Sequence, residues 1–129
     1  MRLLLDTHVW LWLVVSPERL TKQARSALAD SANTLLLSAA SVWEMAIKYR
    51  LGKLPLPCPP HEFVPMRLVR DGVQALAIEH HHAAHVATLP ERHRDPFDRL
   101  IVAQAQLEGL TLVTADAQLS GYEVPMILT

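Results

Sequence analysis

Leu3-Leu4-Leu5-Asp6-Thr7-His8 opens the chain with three adjacent leucines that stop on an acid. A strand with one wet face alternates apolar and polar residues, whereas an unbroken apolar run marks a strand buried on both faces, as in a parallel sheet covered by helices. Val9–Val15 is apolar almost all round and predicts a helix that ends near Ser16-Pro17. Working outward, Thr21 is placed to cap a helix over Lys22–Ala29, and Thr34–Leu37 repeats the strand pattern. Ser38 or Ser41 then caps a helix reaching about Leu51, with Ser41 and Glu44 at capping-box spacing and Gly52 as the stop.

The proline-rich Leu54–Pro60 predicts an extended connection, followed by a weak helix over Glu62–Arg70 whose start is confined by Pro65. Val73–Ile78 is a third strand and His80–Leu89 a short helix closed by Pro90. Asp95-Pro96, an acidic cap with proline at the first helical position, opens a helix to Glu108 that Gly109 ends. Thr111–Thr114 is a fourth strand and Val124–Leu128 an edge strand. Short strands alternating with helices predict a parallel sheet covered on both faces. Ligands of such sheets collect at the carboxyl ends of the strands, where strand order switches.

The 129 residues make one domain, expected to span 1–129, and 50% apolar content excludes a disordered tail. A net charge of −1 excludes a protein that coats nucleic acid by bulk electrostatics. Asp6 and His8 interrupt the leading apolar run too early for a signal peptide, and no stretch is long enough to span a membrane. The lone Cys58 has no bridging partner, so a cytoplasmic location is expected.

Four carboxylates carry the functional information. Asp6 ends the first strand, Glu44 lies early in the helix after the second, Asp98 sits in the first turn after Asp95-Pro96, and Asp116 follows the fourth strand. In a parallel α/β sheet these places share one edge, so the four acids are expected to converge. Two bare carboxylates about 4 Å apart repel by roughly 4 kcal/mol at an effective dielectric near 20, a cost that a divalent cation reverses. An all-oxygen set points to Mg²⁺ or Mn²⁺ rather than Zn²⁺. Such a centre suits phosphoryl chemistry, with a metal activating water.

The stretches Leu3–His8, Ser38-Ala39-Ala40-Ser41-Val42-Trp43-Glu44, His93-Arg94-Asp95-Pro96-Phe97-Asp98-Arg99 with Ala103-Gln104-Ala105, and Leu112-Val113-Thr114-Ala115-Asp116 together resemble the PIN-domain family, and within it the VapC-type toxins of bacterial toxin–antitoxin pairs. The resemblance spans nearly the whole chain. It implies a three-layer α/β/α fold with a mostly parallel sheet of four or five strands. It also implies a metal-dependent endoribonuclease cutting structured RNA, tRNA or rRNA, to a 5′-phosphate and a 3′-hydroxyl. Asp6, Glu44, Asp98 and Asp116 match the acidic quartet by position, with Asp6 and Asp98 the direct ligands, Glu44 orienting water or sharing a second metal, and Asp116 completing the shell. A homodimer and a small antitoxin that covers the groove are the implied partners.

Around the quartet, Thr7 and Thr114 are candidates for orienting an acid or contacting substrate, and Asp95 is chiefly a helix cap that can assist the site. Arg94, Arg99, Lys48, Arg50 and Lys53 are candidates for holding phosphates. His80, His81, His82 and His85 lack the Glu of a metalloprotease motif and are expected on an exposed helix start. Trp10, Trp12 and Trp43 are expected mainly in the core. The competing class is a non-catalytic α/β module whose acidic edge serves partner assembly. An Asp-x-Asp phosphatase is excluded by His8, and a receiver-type domain by the lack of adjacent acids after the first strand.

Overall fold

Leu3, Leu4 and Leu5 are all fully buried, Leu3 and Leu5 in one apolar cluster and Leu4 in another. Successive strand residues point to opposite faces, so this division places one cluster on each side of the sheet. The computed structural model describes residues 1–129. Its strands are β1 (Arg2–Leu5), β2 (Thr34–Ser38), β3 (Gln74–Leu76), β4 (Thr111–Thr114) and β5 (Met126–Leu128), and all pairings between them are parallel. The helices are α1 (Thr7–Val15), α2 (Lys22–Ala29), α3 (Ala39–Arg50), α4 (Pro60–Asp71), α5 (His80–His85) and α6 (Pro96–Glu108).

Strand order is β3-β2-β1-β4-β5. The chain builds outward from β1 through β2 to β3, then returns to the other side of β1 for β4 and β5. The switch therefore falls between β1 and β4, whose carboxyl ends lead into Asp6 and Asp116. One face carries Val9 and Trp10 of α1, Ala24 and Leu28 of α2, and Phe63 and Val64 of α4. The other carries Ile101, Val102, Ala103 and Ala105 of α6, with Leu89, Leu119 and Tyr122. Removing any one of these larger side chains to Ala costs about 2–5 kcal/mol.

Caps account for several helix boundaries. Thr21 Oγ1 accepts the amide of Ala24, and Asp95 Oδ1 accepts those of Phe97 and Asp98. Ser38, not Ser41, caps α3, through the amide of Ala40. Ser41 lies inside the helix with its hydroxyl buried and without a partner, and Glu44 makes no capping box. Gly72 and Gly109 end α4 and α6 in the left-handed conformation that glycine adopts without strain.

Other boundaries differ from the sequence expectation. The first helix begins at Thr7, two residues before its apolar run, because Asp6 already sits at the cap position. α4 begins at Pro60 and carries Pro65 inside it, so the proline-rich connection is shorter than expected. The third strand keeps only Gln74–Leu76 of Val73–Ile78, and the fifth only Met126–Leu128 of Val124–Leu128. The histidine segment divides into α5 and a 3₁₀ turn over Val86–Thr88.

Within this frame His82 is fully buried, not exposed. Its Nδ1 accepts the amide of Glu79 at 2.9 Å, which leaves the proton on Nε2, 2.7 Å from Glu108. Trp43, expected in the core, is 60% exposed and meets Phe97 edge-on at 5.1 Å. Trp10 is fully buried, as expected, and Trp12 is half-buried.

Candidate active site

The carboxyl ends of β1 and β4 are tied together before any side chain is considered, by the amide of Asp6 donating to the carbonyl of Val113 at 2.9 Å. Asp6 stands at the cap position of α1 but makes no side-chain cap bond there. The Thr114 hydroxyl donates to Asp6 Oδ2 at 2.6 Å and accepts the amide of Asp116 at 3.0 Å. One hydroxyl thus fixes two of the four acids. Thr7 does the same for a third, donating to Glu44 Oε1 at 2.7 Å. Glu44 Oε2 is held by Lys48, one helical turn on, at 2.7 Å.

Asp98 and Asp116 meet at a residue the sequence reading gave no role. His93 Nε2 lies 2.9 Å from Asp116 Oδ2 and 3.5 Å from Asp98 Oδ2. Its Nδ1 accepts the amide of Asp95 at 3.1 Å, so Nε2 carries the proton and donates to Asp116. The three side chains offer ligand atoms within 4.8 Å of one another. His93 belongs to a stretch already singled out, but only its bond to a carboxylate 23 residues later reveals its place.

Electrostatics couple Asp6, Glu44 and Asp98, and His93 links Asp116 to them. Asp98 is pushed up to about 7, first by burial and then by the charges of Asp6, Asp95 and Glu44, with His93 opposing. Asp6 is raised by burial, against the hydrogen bond from Thr114 and the nearby His8, with Glu44 adding to the rise. Burial also acts to raise Asp116, yet the bonds from His93 and the Gln118 amide together hold it below the usual carboxylate range. Asp6 and Glu44 are almost wholly buried, at 5% and 6% exposure. The neighbouring carboxylates add to the rise that burial imposes on Asp98, and a divalent ion among these oxygens would relieve their share.

Two basic candidates turn out to be committed elsewhere. The Arg99 guanidinium donates to the carbonyls of Val86, Leu89 and Pro90 and to the Tyr122 hydroxyl, so it secures the turn before residues 91–95 rather than facing substrate. Lys48 is paired with Glu44. Arg94, by contrast, is exposed on an open polar recess of about 750 Å³ that also includes Arg92, His93 and Asp95.

No helix is long and apolar enough to cross a membrane. Fold and site together define a parallel α/β protein with a carboxylate centre at the switch point of its sheet. Within that class the chain belongs to the PIN domain family, whose profile matches residues 3–124. It is 32% identical to Ribonuclease VapC22 of Mycobacterium tuberculosis over 127 residues, 98% of this chain and 95% of the relative. Ribonuclease VapC16 of the same organism is 51% identical over 63 residues, 49% of this chain, and the match covers only 45% of that relative. Among solved structures, VapBC2 from Rickettsia felis bound to a DNA fragment from its promoter superposes with a TM-score of 0.74. That likeness covers 99% of this chain and 98% of the other at 17% identity, a likeness of fold.

Proposed function

We propose that the chain is a metal-dependent endoribonuclease, the toxin of a toxin–antitoxin pair, acting on structured RNA such as tRNA or rRNA. The observation that carries this reading is that the charges of Asp6 and Glu44 act on Asp98, which in turn meets Asp116 at His93, so four acids from four separate elements lie near one another. The curated relatives named as VapC ribonucleases support the activity and its place in such a pair.

The donor set is all carboxylate and suits Mg²⁺ or Mn²⁺, with Asp6 and Asp98 as direct ligands and Glu44 and Asp116 completing the shell. A bound ion supplies Lewis-acid activation of water and neutralises charge on the phosphate and the leaving oxygen. The chain's own groups do the rest. Thr114 holds Asp6, and Thr7 with Lys48 holds Glu44, the carboxylate placed to orient the attacking water. His93 keeps Asp116 ionised and in position. Cleavage leaves a 5′-phosphate and a 3′-hydroxyl.

One PIN domain over residues 1–129 is the working unit, and the cytoplasm, where Cys58 stays reduced, is its compartment. An antitoxin covering the groove silences it. Pairing with a second copy has support from exposed Trp43 and Ile47 on α3 and Leu51 just past its end, and from an all-apolar recess of about 510 Å³ that includes Trp43, Leu68 and Leu76.

The test is incubation of the protein with total tRNA and with rRNA in Mn²⁺, Mg²⁺ or EDTA, with sequencing of the new 5′-phosphate ends. Cleavage is expected only with metal and is expected to vanish in Asp6→Asn and Asp98→Asn. Cleavage unchanged in both variants refutes the assignment. A thermal shift with Mn²⁺ that Asp98→Asn largely loses separates the enzyme from a binding module with an acidic edge.

A further inference from the structure

Beside the acids, residues 91–95 wall an open recess of about 750 Å³ together with Arg99 and Gln118, and none of its lining residues is hydrophobic. Its charges are not equivalent. Asp95 is engaged as the cap of α6, and Arg99 is engaged by three carbonyls and Tyr122. Glu91 is exposed on the same wall. Arg92 and Arg94 are also exposed, and neither guanidinium pairs with any protein group. They are the two cations of the recess free to meet a ligand. The recess shares His93 with the carboxylate cluster, so it lies directly beside the acids.

The segment is also held still. Arg99 ties down its beginning at Val86, Leu89 and Pro90, and His93 ties its far end to Asp116 and to the Asp95 amide. The Arg92 side chain lies over Gly121. A Cβ added at Gly121 would lie 2.7 Å from Arg92 Cδ and 3.3 Å from its Nη1, so the arginine stem rests directly on the Gly121 backbone. A guanidinium laid along backbone with its fork unpaired is arranged for bidentate capture of an anion.

We propose that Arg92 and Arg94 form a subsite gripping a backbone phosphate of the RNA adjacent to the scissile one, with Gly121 as the residue that positions Arg92; the subsite rests on the nuclease reading above. A chain of phosphates is the ligand favoured here, because the recess is polar throughout, opens beside the acids and offers two unpaired forks in succession.

The experiment is fluorescence anisotropy of the intact protein with a short labelled single-stranded RNA, in EDTA so that no cleavage intervenes, across a series of KCl concentrations. Each phosphate contact to single-stranded nucleic acid contributes about 0.7 to the slope of log affinity against log salt. Arg92→Ala with Arg94→Ala is expected to flatten that slope by roughly 0.7, one phosphate's share, and to weaken binding about tenfold or more at low salt. Gly121→Ala is expected to weaken binding severalfold at unchanged net charge, which diffuse attraction to a basic surface would not do. Hydrolysis of bis(p-nitrophenyl) phosphate in Mn²⁺, a substrate with one phosphate, is expected to continue at the wild-type rate in Gly121→Ala. An unchanged slope and affinity overturn the subsite alone. RNA binding that survives while capture of a co-expressed antitoxin fails also overturns it, and gives the recess to a protein partner. A wild-type protein that binds no RNA overturns the subsite, whereas one that binds RNA but cleaves neither substrate overturns the nuclease reading and leaves the salt slope to decide the subsite.

Discussion

The Thr114 hydroxyl donates to Asp6 Oδ2 at 2.6 Å and joins two residues 108 positions apart, across the gap between β1 and β4 where the strand order reverses. The bond also opposes the rise that burial imposes on Asp6. Thr114→Val keeps the shape and removes both the donor to Asp6 and the acceptor for the Asp116 amide. Leaving buried partners unsatisfied costs about 1–3 kcal/mol, which urea denaturation will read as a lower midpoint at unchanged slope. Asp6 is expected to become harder to ionise, so Mn²⁺ binding at neutral pH weakens in the same variant.

Asp98 makes the metal-free protein pH-sensitive. Its folded pKa, about 7, lies above the ordinary 3.8, so between those values the folded state binds the proton that the unfolded state has lost. Stability is then fully present below the unfolded value and falls as pH rises through about 7. Burial raises Asp6 in the same direction, whereas Asp116, held low, is ionised throughout this window. Denaturation midpoints in EDTA are expected to drop between pH 5 and 8. Asp98→Asn flattens the drop, and Mn²⁺ restores the midpoint at the alkaline end by favouring the ionised cluster. A midpoint that rises with pH in EDTA contradicts the geometry of the cluster.

Asp95 contributes in two ways that one variant separates. Its carboxylate caps α6 through the amides of Phe97 and Asp98, and its charge helps raise Asp98. Asp95→Ala is expected to cost on the order of 1 kcal/mol of stability by cap loss. At the same time the acid limb of the pH profile of cleavage moves to lower pH, because Asp98 ionises more readily. Asp95→Asn keeps the cap and removes the charge, so it should shift the profile at nearly full stability.

Much of this was legible in the sequence because the signals were local. Asp95-Pro96 and Gly109 bracket α6 as read, and the leucine runs of β1 and β2 state their own burial. The parallel sheet followed from alternation of strands and helices, and with it the expectation that the four acids share one edge, whereas the place of the switch did not. Features fixed by distant partners were not legible. Ser41 and Glu44 have capping-box spacing, but Glu44 bonds instead to Thr7, 37 residues earlier. His82 looked like part of a wet helix start until Glu108 supplied its partner. Arg99 seemed free because the carbonyls that hold it belong to turns whose paths depend on the packed fold. The short β3 illustrates the same limit. The expected strand extends from Val73 to Ile78, but only Gln74, Ala75 and Leu76 find a ladder on β2.

His93 is the residue whose role these contacts redefine most, and replacing it separates positioning from metal binding. The ring donates from Nε2 to Asp116 and meets the Asp95 amide at Nδ1, so it braces the segment carrying Arg92 and Arg94 against the turn after β4. His93→Ala removes both bonds. Asp116, now lacking the donor that helps keep it low, is expected to titrate at higher pH, and the Asp95 amide to exchange faster with deuterium. His93→Asn is a partial replacement, since its carboxamide offers both a donor and an acceptor. If positioning is the role, the asparagine variant recovers amide protection and part of the RNA affinity, and Mn²⁺ affinity falls no more than a few-fold in either variant. A loss of Mn²⁺ binding in both, as large as that of Asp98→Asn, would instead make His93 a ligand. RNA affinity read in EDTA keeps the two roles apart, because a metal ligand has no part in that measurement and a brace for the arginine segment does.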